Sequence, residues 1–383
     1  MASSLDFTPL NGVRVLEVAT ILAGPWVGMV ASHYGAEVIK VEPLGGDPTR
    51  RWYYPGEEAP PLMSAYFATV NAGKQSIELN LKSAADRAIF YRLIERSDVL
   101  LTNHTSEVAQ ALHTTPAHLR PLNPHLIHIN ITAYGDADCR KGYDALLQAD
   151  TGFMNLNGFS DGPPLKMPVA FIDLIAAHHA FEGLLLAVLC QYQGKSTYQY
   201  LSVTLQSVGV VSLMNQAMNY LASLRQYVPR RMGSQHPNIV PYGEPFLTRD
   251  GKWVVLAIGS DAQYQRLCEL IEDEELWHWG NNPVSRNLHR TRIYDRLRRE
   301  IAQWDSNTFL QMCRAQAIPA TRVRSIDEVL SDPRFTPFLV RFPAYPFEGI
   351  IPSPLQGITT ATLSAPPQLN EHGEYLRRLL GSD

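Results

Sequence analysis

Val13-Arg14-Val15-Leu16-Glu17-Val18, followed by Ala23-Gly24-Pro25, by Trp26 to Tyr34 and Gly35, and by Ala36-Glu37-Val38-Ile39-Lys40-Val41, is the stretch from which the fold is read. The first six residues are a short strand with β-branched positions. Pro25 suits the first turn of a helix, since its fixed φ is already helical and its missing N–H would have no partner there. Gly35 ends that helix, and Ala36 to Val41 is a second strand closing at Glu42-Pro43. A β-α-β unit of about thirty residues implies a parallel sheet with a right-handed crossover. The acid at the end of the second strand suits a dinucleotide site. The first turn, Ala19-Thr20-Ile21-Leu22-Ala23-Gly24, has no Gly-x-Gly-x-x-Gly, which argues against a nicotinamide dinucleotide.

Working outward, the alternation continues. Ile77 to Leu81 reads as a strand, Ala84 to Arg96 as an amphipathic helix, and Asp98 to Asn103, Leu126 to Thr132 and Tyr200 to Leu205 as further strands. Alternating strands and helices give a doubly wound α/β domain, whose ligands bind beyond the carboxyl ends of its strands. Asn71, Asn103-His104 and Tyr134-Gly135 fall at or near such ends. Gly45 to Trp52 is a Gly-rich loop with basic and aromatic residues, either an approach to phosphate or a surface loop. Ala145 to Met154 and Val208 to about Leu224 read as helices. Arg225 to Gly243, rich in Pro and Arg, reads as a linker into a second domain. That domain offers a strand at Lys252 to Ile258, helices at Gln263 to Ile271, Thr291 to Trp304 and Asn307 to Ala315, and an exit strand at Ile318 to Val323. A terminal helix spans Glu374 to Leu380.

Met167 to Glu182 carries the candidate chemistry. An apolar run, Pro168 to Ile172, ends at Asp173, and a long apolar segment runs from Leu174 to Cys190 before Gly194. This reads as a mostly buried helix with Asp173 at its N-terminal end, where outward N–H groups and the dipole favour an anion. Asp173 is then either an ordinary N-cap or a carboxylate facing a pocket and available as a nucleophile.

At 383 residues the chain is too long for one ordinary core, so two domains are the default. Hydrophobic residues at 45% and charged residues at 18% are globular proportions. A formal net charge of −4 gives no electrostatic reason to expect nucleic acid, and short clusters such as Arg50-Arg51 fit a solvated face or a few phosphate contacts. Cys139, Cys190, Cys268 and Cys313 lack metal-ligand spacing; Cys190 and Cys268, in apolar helical contexts, suggest buried reduced thiols in a cytoplasmic protein. Met1 to Asp6 lacks a signal-peptide pattern, and no apolar run reads as long enough to span a bilayer, so no membrane partner is expected. Gly194-Lys195-Ser196-Thr197 imitates the end of a phosphate-binding loop, but the five-residue-earlier glycine is Leu189. The adjacent His178-His179 cannot share a helix face as a zinc pair and read as core or interface histidines. No serine sits in a Gly-x-Ser-x-Gly elbow.

Several segments then run in the order of one family. They include Leu10-Asn11-Gly12-Val13-Arg14-Val15-Leu16, Ala23-Gly24-Pro25, Gly35 to Pro43, Gly46-Asp47-Pro48-Thr49-Arg50 and Asn71-Ala72-Gly73-Lys74-Gln75-Ser76-Ile77. Gly142-Tyr143-Asp144, His236-Pro237-Asn238 and Leu369-Asn370-Glu371-His372 continue the series. The chain resembles the class III CoA-transferases, the group of formyl-CoA:oxalate and carnitine CoA-transferases that also contains α-methylacyl-CoA racemase. The resemblance implies an interlocked homodimer. It also implies a Rossmann-like large domain (1–224 with 325–383) and a smaller inserted α+β domain (225–324). Asp173 matches the catalytic aspartate, which would move CoA from an acyl-CoA to a carboxylic acid through anhydride and thioester intermediates. CoA, as substrate and not as a resident cofactor, would touch Ile21, Lys74, Asn103, His104 and Lys141. Tyr143 would position the substrate carboxylate. Leu22 stands where formyl-CoA transferase has a glutamine, and the tetraglycine loop has no counterpart; both speak against oxalate or formyl specificity. The racemase histidine is Tyr143 here, and a phenol of pKa about 10 is a poor base for an α-proton. The readings that remain beside the transferase are an acyl-CoA racemase or isomerase and a non-catalytic CoA-binding subunit.

Overall fold

A computed structural model describes residues 8–58, 60–195, 197–345 and 347–381. The reading of Met1 to Asp6 and that of Ser196 in the Gly194–Thr197 turn lie outside the described residues. Six strands form one sheet: β1 (Arg14–Glu17), β2 (Glu37–Glu42), β3 (Gln75–Glu78), β4 (Val99–Thr102), β5 (Ile127–Thr132) and β6 (Gln199–Thr204). Their order is β3-β2-β1-β4-β5-β6, with every pairing parallel. The order reverses between β1 and β4, which opens a crevice at the carboxyl ends of those strands. Every residue of β4 and β5 is buried, the pattern of a parallel sheet covered on both faces. Val15, Leu16, Ile39, Leu100, Ile127 and Ile129 form the middle of this core, each fully buried side chain contributing roughly 1.5–3 kcal/mol.

The β-α-β reading holds. The first helix spans Ala23–His33 and lies very close to β1. A Cβ on Gly28 would come within 2.0 Å of Glu17 Oε2, so only glycine lets the helix approach there. The C-terminal stretch closes the β3 edge. Ser76 Oγ accepts from Asn370 N at 3.0 Å, Asn370 Oδ1 accepts from Glu78 N at 3.0 Å, and Leu376 and Leu380 of the Gly373–Gly381 helix enter the same core.

Two helical readings are corrected by backbone conformation. The expected Ala145–Met154 helix is Asp144–Asp150, interrupted by Gly152 at φ 92°. The expected Val208–Leu224 helix is two, Leu205–Val211 and Met214–Ala222, the second opening at Met214 with φ 47°. The chain divides into two compact units. One takes Met1–Thr151, Met167–Met214 and Thr336–Asp383; the other takes Gly152–Lys166 and Asn215–Phe335. The second unit thus includes a segment well before the expected 225–324. It is α+β: β7 (Tyr242–Leu247), β8 (Trp253–Ala257) and β9 (Ala320–Arg322) form an antiparallel sheet. Tyr264, Leu267, Leu276, Ile293, Leu297 and Phe309 fill its own core. β7 begins inside the stretch read as a linker. A short hairpin, β10 (Leu339–Arg341) with β11 (Glu348–Ile350), belongs to the first unit.

The Phe171–Tyr192 helix is long and apolar enough, by length and composition, to cross a membrane, which corrects the expectation that no run reaches that length. Its buried residues, Ile172, Ala176, Ala177, Ala180, Leu184 and Ala187, pack toward β5, β6 and the Ala23–His33 helix, as a layer helix of an α/β unit does. It is less buried than expected: Leu185, Leu186, Leu189 and Tyr192 are exposed.

Candidate active site

Asp173 is the third residue of the Phe171–Tyr192 helix, and it lines a hollow of about 300 Å³. The hollow sits at the sheet's switch point. Thr20 to Ala23 follow β1, Asn103 to Thr105 follow β4, Ala133 follows β5, and Leu205 follows β6. The Arg140–Tyr143 segment supplies the remaining polar wall.

The helix cap is not Asp173. The N-cap is Ala170, which makes no side-chain cap bond. The cap is borrowed from Asp144, at the start of another helix. Asp144 Oδ1 accepts from Ile172 N at 2.9 Å and from Asp173 N at 3.4 Å, and Gln148 Nε2 donates to Asp144 Oδ2 at 2.5 Å. One carboxylate therefore takes the orphan N–H groups of the first turn, and the other is left for the hollow. Among the described residues, no donor is hydrogen-bonded to the Asp173 carboxylate. Burial, reinforced by the Asp144 charge, pushes its pKa up to about 7. This corrects the expectation of an ordinary carboxylate: near neutral pH it is about half ionised, and its anion is a more basic nucleophile. The Tyr66 phenol is also pushed up, by burial and then by the charges of Asp173, Asp144 and Asp47, so it stays protonated as a donor.

Seven residues singled out from sequence line this one hollow: Ile21, Leu22, Asn103, His104, Lys141, Tyr143 and Asp173. Burial lowers the His104 pKa to about 4, so its imidazole is neutral. Asn103 grips the loop after β1, accepting from Thr20 N at 3.2 Å and donating to Thr20 O at 2.9 Å.

Lys74 is a correction. It is 2% exposed, and its ammonium donates to both Glu17 oxygens (2.9 and 2.7 Å), to Pro25 O (2.7 Å) and to Asn71 Oδ1 (2.9 Å). A lysine with its donors spent under the sheet's crossover helix cannot reach a phosphate in the crevice. Burial pulls it below the usual lysine range, against the opposing pull of Glu17. The exposed lysine of the same region is Lys82. It lines a second hollow of about 330 Å³, which shares Val18, Thr20 and His104 with the first.

The Gly45–Trp52 loop exposes Pro48, Arg51 and Trp52, but Arg50, the residue read as a phosphate contact or part of a solvated face, is neither. Arg50 is fully buried; its Nη2 and Nε bond both Glu42 oxygens at 2.7 Å, and its guanidinium lies 3.7 Å over the Phe67 ring. Asp47 is also fully buried. Glu17, Glu42 and Asp47 balance Lys40, Lys74 and Arg50, so the interior under the site holds three charges of each sign, paired. His178 and His179 are both exposed, not core; His178 packs on Trp26 with ring centroids 4.4 Å apart. Cys190 is half-buried, not buried like Cys268.

Comparison with known proteins decides the family. The family model described as "CoA-transferase family III" matches residues 10–373. The chain belongs to CoA-transferase family III. The chain is 37% identical over 339 residues to a succinate–glutarate CoA-transferase of Agrobacterium fabrum, covering 85% of this chain and 82% of the relative. A succinyl-CoA:mesaconate CoA-transferase of Haloarcula marismortui is 34% identical over 343 residues, with 85% and 82% covered. Among solved structures, a CaiB/BaiF family protein from Brucella suis superimposes with a TM-score of 0.84 at 32% identity, covering 98% of this chain and 100% of that one. The protein is an enzyme of the CoA-transferase class, and CoA thioesters are its substrates.

Asp144, Tyr66, Asp47 and Lys82 were not singled out as site residues from the sequence. Asp144 belongs to the Gly142-Tyr143-Asp144 segment and Asp47 to Gly46-Asp47-Pro48-Thr49-Arg50. Their partners lie 28 and 26 residues away, so no local spacing announces the contacts.

Proposed function

We propose that this enzyme transfers CoA between dicarboxylic acids by covalent catalysis at Asp173. The observation that carries the reading is the Asp173 carboxylate itself, which lines the switch-point hollow while Asp144 takes the helix N–H groups. The carboxylate attacks the donor thioester carbon, forming an aspartyl–acyl anhydride and releasing CoA thiolate. The thiolate attacks the aspartyl carbonyl, giving an aspartyl-CoA thioester and the free donor acid. The acceptor carboxylate attacks that thioester, forming a new anhydride and thiolate. Attack of the thiolate on the acceptor acyl carbon releases acceptor-CoA and restores Asp173. No proton transfer is needed in any step, so the absence of a basic histidine at position 143 is no handicap.

The dicarboxylate class is supported by the names of the relatives, which use succinate, glutarate and mesaconate. The two adjoining hollows together give an extended ligand a continuous crevice, with Lys82 in one and Arg140 and Lys141 in the other as partners for its anionic groups. Ile21, Asn103 and His104 contact CoA in this reading, and Tyr143 and Leu22 face the acyl group. The exposed Leu185, Leu186 and Leu189, on the same helix as Asp173, support a homodimer, interlocked as the resemblance implies, with 225–324 as the insert. The four free cysteines support a reducing, cytoplasmic setting.

The test is mass spectrometry of CoA esters after incubation with succinyl-CoA and a panel of carboxylic acids. Glutaryl-CoA or another dicarboxylyl-CoA should form with release of free succinate. A parallel incubation in deuterium oxide without any acceptor should leave the α-carbon of a 2-methylacyl-CoA unlabelled. Labelling there with no exchange among acids would make the protein a racemase.

A further inference from the structure

Ile21 is a β-branched residue at φ 76°, in the left-handed region that such side chains rarely enter. It lines the Asp173 hollow between Thr20 and Leu22. Its N–H donates to Asp47 Oδ2 at 3.2 Å. That oxygen is itself held 3.1 Å from the Lys40 ammonium, while Asp47 Oδ1 accepts from Thr49 N (3.0 Å) and Thr49 Oγ1 (2.7 Å). Lys40 in turn donates to Glu17 Oε1 at 2.9 Å and to Ala19 O at 3.0 Å. Asp47, Lys40 and Glu17 are all fully buried. With Asn103 on both sides of Thr20, the backbone from Ala19 to Ile21 is pinned residue by residue from below.

We propose that Asp47 is a positioning residue for the transfer reaction: its buried carboxylate, oriented by Lys40, holds Ile21 in the left-handed conformation and so pre-forms the wall of the acyl-CoA pocket. The inference rests on the reading of this hollow as the CoA-transfer site. Strained backbone persists only where its surroundings over-determine it, and it concentrates at ligand sites. Here the over-determination comes from ion-paired groups that never touch the hollow: none of Asp47, Lys40 and Glu17 lines it.

The test is a cycle of Asp47→Asn, Ile21→Gly and the double variant. Asparagine keeps the volume and an oxygen for Thr49, but it turns an amide toward Ile21 N–H and Lys40. The KM for the acyl-CoA donor should rise roughly tenfold or more in Asp47→Asn, with kcat changing less. Glycine adopts positive φ without a steric penalty, so in the Ile21→Gly background the Asp47→Asn effect on KM should shrink to about threefold or less, while its loss of Tm stays the same. An equal KM effect in both backgrounds would reduce Asp47 to a general fold stabiliser. Hydrogen exchange on the wild-type protein is the second measurement and holds even if Asp47→Asn does not fold. The Ile21 amide should be protected before acyl-CoA is added and unchanged after; protection that appears only with ligand overturns the proposal. Hydroxamate trapping on Asp173 of the wild type reads the chemistry separately, so failure of the transfer mechanism and failure of the positioning role give different results.

Discussion

Asp144 caps a helix to which it does not belong: its Oδ1 accepts the N–H of Ile172 at 2.9 Å, the residue next to Asp173. The contact does two things at once. It fixes the start of the helix that carries Asp173, and it places a second carboxylate close enough to raise the pKa of the first.

Asp144→Asn separates those effects. The amide oxygen still accepts from Ile172 N, so the helix start is kept at the loss of the Gln148 Nε2 hydrogen bond, and the like charge is gone. The pH midpoint of Asp173 acylation should move down from about 7, while staying above 3.8 because burial is the larger cause. Asp144→Ala should in addition lose about 0.5–2 kcal/mol of stability with the cap. Both follow from pH profiles of single-turnover acylation and from chemical denaturation. An unmoved midpoint in Asp144→Asn would remove Asp144 from the electrostatics of the site.

Asp173 should cost the fold stability where it is ionised. Its pKa is about 7 when folded, against an ordinary 3.8. A carboxyl with a raised folded pKa contributes stability below its unfolded pKa, and that contribution is lost as pH rises through the folded pKa. The loss accrues between about pH 4 and about pH 7. Asp173→Asn does not titrate, so it should match the wild type near about pH 4 and exceed it by about 1–3 kcal/mol above about pH 7. Urea denaturation across that range checks it; a gap independent of pH contradicts the desolvated carboxylate.

Lys82 and Lys74 should behave oppositely. Lys82→Met removes an exposed cation from the second hollow and should raise the KM for acyl-CoA roughly tenfold, with Tm nearly unchanged. Lys74→Met leaves the buried Glu17 carboxylate with Lys40 as its remaining cation and takes the lysine donor from Pro25 O and Asn71 Oδ1, and it should lower stability by about 3 kcal/mol or more. Thermal melts and initial rates decide it, and the reverse assignment would restore Lys74 as the CoA contact.

An interlocked dimer should not dissociate on dilution. Light scattering and sedimentation at nanomolar concentration should still give a dimer, with dissociation only on unfolding. Folded monomers at low concentration would contradict the interlocking.

The β-α-β unit, the six-strand alternation and three of the small domain's helices were legible because they rest on local periodicity and on punctuation such as Pro25 and Gly35, whereas the short helices Glu274–Gly280 and Pro283–Leu288 were not read. Asn103 and His104 were legible as strand-end residues at the ligand-binding edge of the sheet, and Asp173 as the opening of a helix; Ile21, Leu22, Lys141 and Tyr143, which line the same hollow, were implied by the family resemblance. The electrostatics were not legible. Nothing local distinguishes Lys74, which is buried on Glu17, from Lys82, which is exposed, eight residues later. Arg50 read as part of a solvated face or as a phosphate contact because sequence does not display Glu42 beneath it. From spacing alone Asp173 could not be told apart as a cap or a nucleophile, because the true capping group comes from the far end of the Gly142-Tyr143-Asp144 motif.

The central claim is that the Asp173 carboxyl becomes an acyl electrophile only while donor acyl-CoA is present. Incubation with succinyl-CoA followed by hydroxylamine, then peptide mapping, tests it most directly. The account predicts a hydroxamate at residue 173, inactivation in step with labelling, no label without donor, and neither label nor transfer in a folded Asp173→Asn variant. Undiminished transfer by Asp173→Asn, or labelling at another carboxyl with residue 173 unmarked, would contradict it.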